Sequence, residues 1–207
     1  MRKIGILGLV GVLVLVLAGC GGGDGPGTVF LQSPSDQPAD GDIGFTPPGA
    51  FLIAQANATG TVQYGIDAGG TEFRAFLDFP LDGSTGGGVL PLNAIIVSAD
   101  IEVFVNNVSF ASSVPTLLDL VPFPISGLTP GDFDSAPVLT RALFDIRTLD
   151  INNFVRIDVT SLMAETQRLG LRDLQLRFLL DLAATSGLVQ LDDGVPGREP
   201  LLTVEYR

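Results

Sequence analysis

The sequence predicts an all-β protein: an antiparallel β-sandwich with one short helix, its spacings leaving jelly-roll and immunoglobulin-like orders both open. Two observations carry this. Apolar and polar residues alternate strictly in five well-separated segments, and clusters of Gly, Asp, Pro and Ser stand between them. A third observation concerns the start of the chain, where two basic residues and an apolar run lead to the only cysteine.

That start resembles a bacterial lipoprotein signal. Arg2 and Lys3 supply the positive region, residues 4–17 are apolar apart from Gly, and Leu17-Ala18-Gly19-Cys20 matches the lipobox, which is cut before a lipidated Cys. The run of ~14 residues is shorter than the ~20 that span a bilayer. The resemblance implies cleavage of residues 1–19, lipidation of Cys20, and a protein anchored in the bacterial cell envelope. Gly21 follows the Cys in place of an Asp, which favours the outer membrane or cell surface. The remaining chain has nine basic side chains, all Arg, against 23 acids. It holds no lysine for a Schiff base and no polybasic stretch for anionic lipid, so the lipid alone is expected to make the membrane contact.

Residues 20–50 are dominated by Gly, Pro, Ser and Asp, and read as the lipidated Cys followed by a disordered tether. Residues 51–207 are then one sandwich domain. Within it, Phe73, Ala75, Leu77 and Phe79 share one face of a strand. Val97, Ala99, Ile101, Val103 and Val105 do the same, as do Val155, Ile157 and Val159. Leu174, Leu176, Phe178, Leu180 and Leu182 form a fourth such set, and Leu202, Val204 and Tyr206 a fifth. Residues 60–64, 116–121, 139–146 and 187–191 are further strand candidates. Turns are expected at 67–70, 82–88, 126–134 and 192–197. Residues 160–169 suit a helix, with Thr160 as N-cap and Gly170 just past its end.

Four segments, in order, resemble the DNRLRE-type domain, a jelly-roll module of secreted proteins related to carbohydrate-binding modules. They are Arg74-Ala75-Phe76-Leu77-Asp78-Phe79-Pro80-Leu81, the stretch at 95–103, Ile157-Asp158-Val159-Thr160, and Pro200-Leu201-Leu202-Thr203-Val204-Glu205-Tyr206. The resemblance spans about residues 60–207. It departs from the family at the helix after Thr160, which lacks the usual aromatic, and in the expanded loop at 83–88. It implies a fold, and polysaccharide as a ligand class.

Composition removes several chemistries. With no His there is no Ser-His-Asp triad and no imidazole ligand, and one Cys makes neither a disulfide nor a cysteine zinc site. The acidic balance argues against nucleic acid. Asp outnumbers Glu 18 to 5, and Asp132, Asp134, Asp192 and Asp193 are the candidate ligands for a structural Ca²⁺; no other cofactor is implied. Turn formation is the competing role for these Asp residues. Tyr64 is the one aromatic expected to be exposed for a ligand. Arg74, Arg156 and Arg177 lie on strand faces opposite the core and, if neighbouring, could bind uronates through bidentate forks. Their competing role is cross-strand pairing with Asp78, Asp158 or Asp181.

The expected function is a non-catalytic, lipid-anchored binding or structural module rather than an enzyme. An envelope assembly protein with a protein partner is the alternative. A carboxylate-only glycan hydrolase is a third reading, for which Asp100 and Glu102 share one strand face; it needs two acids facing across a cleft about 5–9.5 Å apart.

Overall fold

The computed structural model describes residues 27–55, 59–181 and 184–207. The signal segment and Cys20 lie outside the described residues, as does Leu182. The strands are β1 (Val29–Pro34), β2 (Gly41–Thr46), β3 (Ala50–Gln55), β4 (Thr61–Ile66), β5 (Glu72–Pro80) and β6 (Ile96–Ser109), then β7 (Ser113–Leu120), β8 (Leu139–Arg147), β9 (Phe154–Asp158), β10 (Asp173–Leu180), β11 (Gly187–Asp192) and β12 (Leu201–Tyr206). One helix, α1 (Thr160–Leu169), follows β9. Every strand pair is antiparallel. The architecture is an all-β sandwich.

One sheet runs β1-β12-β6-β9, and the other is built on β3-β2-β5-β10-β7-β8. The long β6 belongs to both, because its second half pairs with β11, which continues through β4 to β5. The alternating residues meet between the sheets as the sequence pattern requires. Ala75, Leu77 and Phe79 of β5 pack there with Ile101 and Val103 of β6, Leu176 and Phe178 of β10, and Leu202 and Val204 of β12. Leu162 and Met163 of α1 join this core, so the helix plugs the sandwich. Thr160 is its first helical residue rather than its cap; the Asp158 carboxylate accepts the Thr160 N–H at 2.9 Å. Gly170 ends it in the left-handed conformation, φ 65°.

The expected tether at 20–50 is corrected over most of its length. β1 and β2 lie within it, and Leu31, Ser33, Asp40, Asp42 and Ile43 are buried. β1 pairs with β12 over six residues, and β2 pairs with β3 and β5. The glycines that suggested a linker are close-approach positions. A Cβ on Gly41 would strike the Ala54 carbonyl oxygen, and one on Gly44 would come within 2.7 Å of the Phe73 ring. The domain therefore includes the chain from Val29 onward.

A second apolar cluster lies outside the sandwich. Residues 121–138 fold back over the outer face of the β2-β5-β10-β7 sheet, where Phe123, Leu128 and Phe133 pack on Ile43 and Phe76. Gln175 fastens this loop by accepting the Phe123 N–H and donating to the Phe123 carbonyl, both at 3.0 Å.

Candidate functional site

The covering loop decides the fate of two of the three arginines singled out above. Arg177 pairs with Asp119 at 2.6 Å, both side chains almost fully buried, and its Nη1 donates to the carbonyls of Phe133 and Ser135 at 2.9 Å. Arg74 pairs with Glu72 at 2.8 Å and Asp134 at 2.9 Å, donates to the Phe133 carbonyl, and lies 3.9 Å above the Phe133 ring. Arg74 and Arg177 are neighbours, as uronate binding would need, but they are fasteners beneath a loop. The expectation that they bind ligand is corrected, and their partners are not the Asp78 and Asp181 considered above.

Tyr64 is also corrected. Its ring faces the core with Val62, its exposure is 0%, and its hydroxyl meets the Thr116 hydroxyl at 2.8 Å. Burial pushes the phenol above its ordinary range. Parity was the available signal: Val62 and Tyr64 are two apart on one strand.

The calcium candidates separate. Asp132 accepts the Thr129 N–H at 2.7 Å and the Thr129 hydroxyl at 2.8 Å, closing a turn. Asp134 is held by Arg74. Asp192 accepts the Gly194 and Val195 N–H groups at 3.1 and 2.9 Å. These three carboxylates serve loop structure, and the four do not converge. Among the described residues no group of three or more acidic side chains is placed to hold a metal. Asp193 differs, being fully buried with both carboxylate oxygens unpartnered. It lies against Asp40, a residue of the supposed tether.

Arg156 alone of the three arginines faces solvent. It stands on β9, at the edge of the other sheet, with its side chain 61% exposed and 2.7 Å from Asp100. The register places Phe154 opposite Phe104, Arg156 opposite Glu102 and Asp158 opposite Asp100. Further across, Asp100 is opposite Thr203, and Thr203 opposite Gln32. The outer face of this sheet is thus a largely polar platform, with Arg198 lying over the Phe104 ring at 4.3 Å and Phe30 exposed at the β1 side. Phe154, 51% exposed and edge-on to Phe104 at 5.1 Å, gives it an aromatic edge. Sequence reasoning passed over Phe154, although it precedes Arg156 by two residues and must share its face.

Next to the platform, β8 and β9 leave a groove of about 250 Å³ lined by Arg141, Phe144, Arg156 and Asp158. Arg141 pairs with Asp158 at 2.9 Å across it. The Thr160 hydrogen bonds hold the Asp158 carboxyl below its usual range, with Arg141 contributing, so it stays ionised. Such half-exposed pairs are worth about 0–1 kcal/mol each, so a ligand that rearranges them loses little.

No protein-family model matches the chain, and no curated protein matches it.

Proposed function

We propose that the protein is a non-catalytic cell-envelope module, anchored by a lipid on Cys20, that binds polysaccharide on the outer face of the β1-β12-β6-β9 sheet. The observation that supports this is the contrast between the two outer faces. One is sealed by its own loop, and the other is an open polar surface edged by Phe154 and Arg156. An exposed ring beside hydrogen-bonding side chains is the pairing a sugar chain needs. Asp100, Glu102, Asp158 and Glu205 outnumber Arg156 and Arg198 on this face, which favours a neutral chain over a polyanion.

The test is calorimetric titration of the full chain in detergent with neutral and acidic polysaccharides. Binding of a neutral one, weakened about tenfold or more by Phe154→Ala and by Arg156→Ala, is the expected result. Binding unmoved by both substitutions would place the ligand elsewhere, and silence across the panel would remove the ligand. The anchor is tested separately: palmitate labelling should be present in the wild type and absent in Cys20→Ser.

A protein partner is the second reading, favoured by β3. This strand pairs only with β2 among the described strands, and Phe51, Leu52 and Ile53 on it are exposed. A bare apolar edge is a template for another strand. Leu52→Lys should abolish pull-down of an envelope partner without changing polysaccharide binding.

A further inference from the structure

The loop between β1 and β2 and the loop after β11 meet in the interior. Asp40 and Asp193 are each 0% exposed there, and Ser35 is 5% exposed. One Asp40 oxygen accepts the Asp78 N–H at 2.7 Å. The other Asp40 oxygen, both Asp193 oxygens and the Ser35 hydroxyl have no hydrogen-bond partner. None of the ion pairs among the described residues reaches either carboxylate. The Ser35 and Asp193 side chains both lie against the Asp40 carboxyl.

Buried carboxylates are stable only when something neutralises them. One proton shared between the two acids cancels only one of the two charges, even with the Ser35 hydroxyl turned onto a carboxylate oxygen. A cation among them satisfies all four at once, and a divalent one cancels both charges. We propose that Asp40, Asp193 and Ser35 form a binding site for Ca²⁺, completed by backbone carbonyls and water. Calcium fits better than magnesium, because it accepts six to eight oxygens in irregular geometry from loops, whereas magnesium demands a near-ideal octahedron. Both segments are held for the task. Backbone bonds from Ser35 N–H to the Pro200 carbonyl at 2.9 Å and from Asp193 N–H to the Gly60 carbonyl at 3.1 Å fix the loops, and Gln37 donates to the Asp193 carbonyl. The ion would tie residues 35–40 to residue 193, near the two ends of the domain.

Without a cation, burial and mutual repulsion raise the Asp40 carboxyl above its ordinary value, and burial also raises that of Asp193. Calcium binding near pH 6 should therefore release protons.

The experiment is titration of the EDTA-treated full chain in detergent with CaCl₂ and, separately, MgCl₂, followed by thermal unfolding in Ca²⁺ and in EDTA. The expected result is one Ca²⁺ per chain, bound at least tenfold more tightly than Mg²⁺. At a hundredfold excess over Kd, the folded-to-unfolded ratio should rise about a hundredfold. Asp193→Asn and, independently, Asp40→Asn should remove the binding. Equal unfolding in Ca²⁺ and EDTA with no binding heat would overturn the proposal and leave the pair holding a proton. Unchanged stoichiometry in both variants would overturn it too, by moving the ion to another place. The wild-type comparison stands even if a variant does not fold.

Discussion

Arg177→Met offers the sharpest test of how the covering loop is held. The substitution keeps most of the side-chain volume and removes the guanidinium. Asp119, 3% exposed, then keeps only the Thr140 hydroxyl at 2.6 Å, the Ser135 carbonyl loses its Arg177 donor, and the Phe133 carbonyl keeps only Arg74. Removing one partner of a buried pair costs about 3–5 kcal/mol, because the other charge is left stranded. With a urea m-value of about 2 kcal/mol per M, the midpoint should fall by roughly 1.5–2.5 M. Equilibrium urea unfolding followed by circular dichroism measures this. Replacing both partners, as Arg177→Met with Asp119→Leu, should recover most of the loss, since no unpaired charge remains. A loss below about 1 kcal/mol for the single substitution would mean that Asp119 is solvated, and the reading of Arg177 as a fastener would be wrong.

Burial pushes the carboxyls of Asp42 and Asp78 up to about 7. Between pH ~4 and 7 the folded chain thus holds protons that the unfolded chain has released, so stability falls as pH rises through this window. In EDTA the wild type should be more stable at pH 5 than at pH 8. Asp42→Asn should show a shallower slope and greater stability than the wild type at pH 8, measured by thermal unfolding across pH. Gly65 has φ +114°, and an added Cβ would collide with the Gly187 carbonyl oxygen, whereas Gly70, at φ +80°, has open space around it. Gly65→Ala should cost more than about 3 kcal/mol and Gly70→Ala about 1–2 kcal/mol, read from denaturant midpoints of the two proteins.

Alternation made the central strands legible. Ala75 to Phe79, Ala99 to Val105 and Leu174 to Leu180 carry the core because every second residue is apolar, and a pleated strand cannot hide that. β2 was hidden because Gly41 and Gly44 read as chain flexibility, while their role is to let other groups approach. The burial of Arg74 and Arg177 was hidden for a different reason. Period two says which face of a strand points away from the core, but it does not say that residues 121–138 return to cover that face. The open platform had the opposite fate. Arg156 does face solvent, as its parity required, and the register of β9 puts Phe154 on the same face. The meeting of Asp40 with Asp193, 153 positions apart, had no local signal at all.

The pairing of β1 with β12 sets the order in which the chain can fold. Val29 finds its place beside Tyr206, and Pro34 beside Leu201, so the first strand waits for the last. Such distant contacts are slow to form, because a long loop must close before they stabilise anything. A chain that emerges N-terminus first cannot complete this sheet until residues 201–206 have appeared. Loss of residues 201–206 would unpair β1 and strip one edge of β6, so an early stop near residue 200 would undo the first strand of the sheet as well as its last.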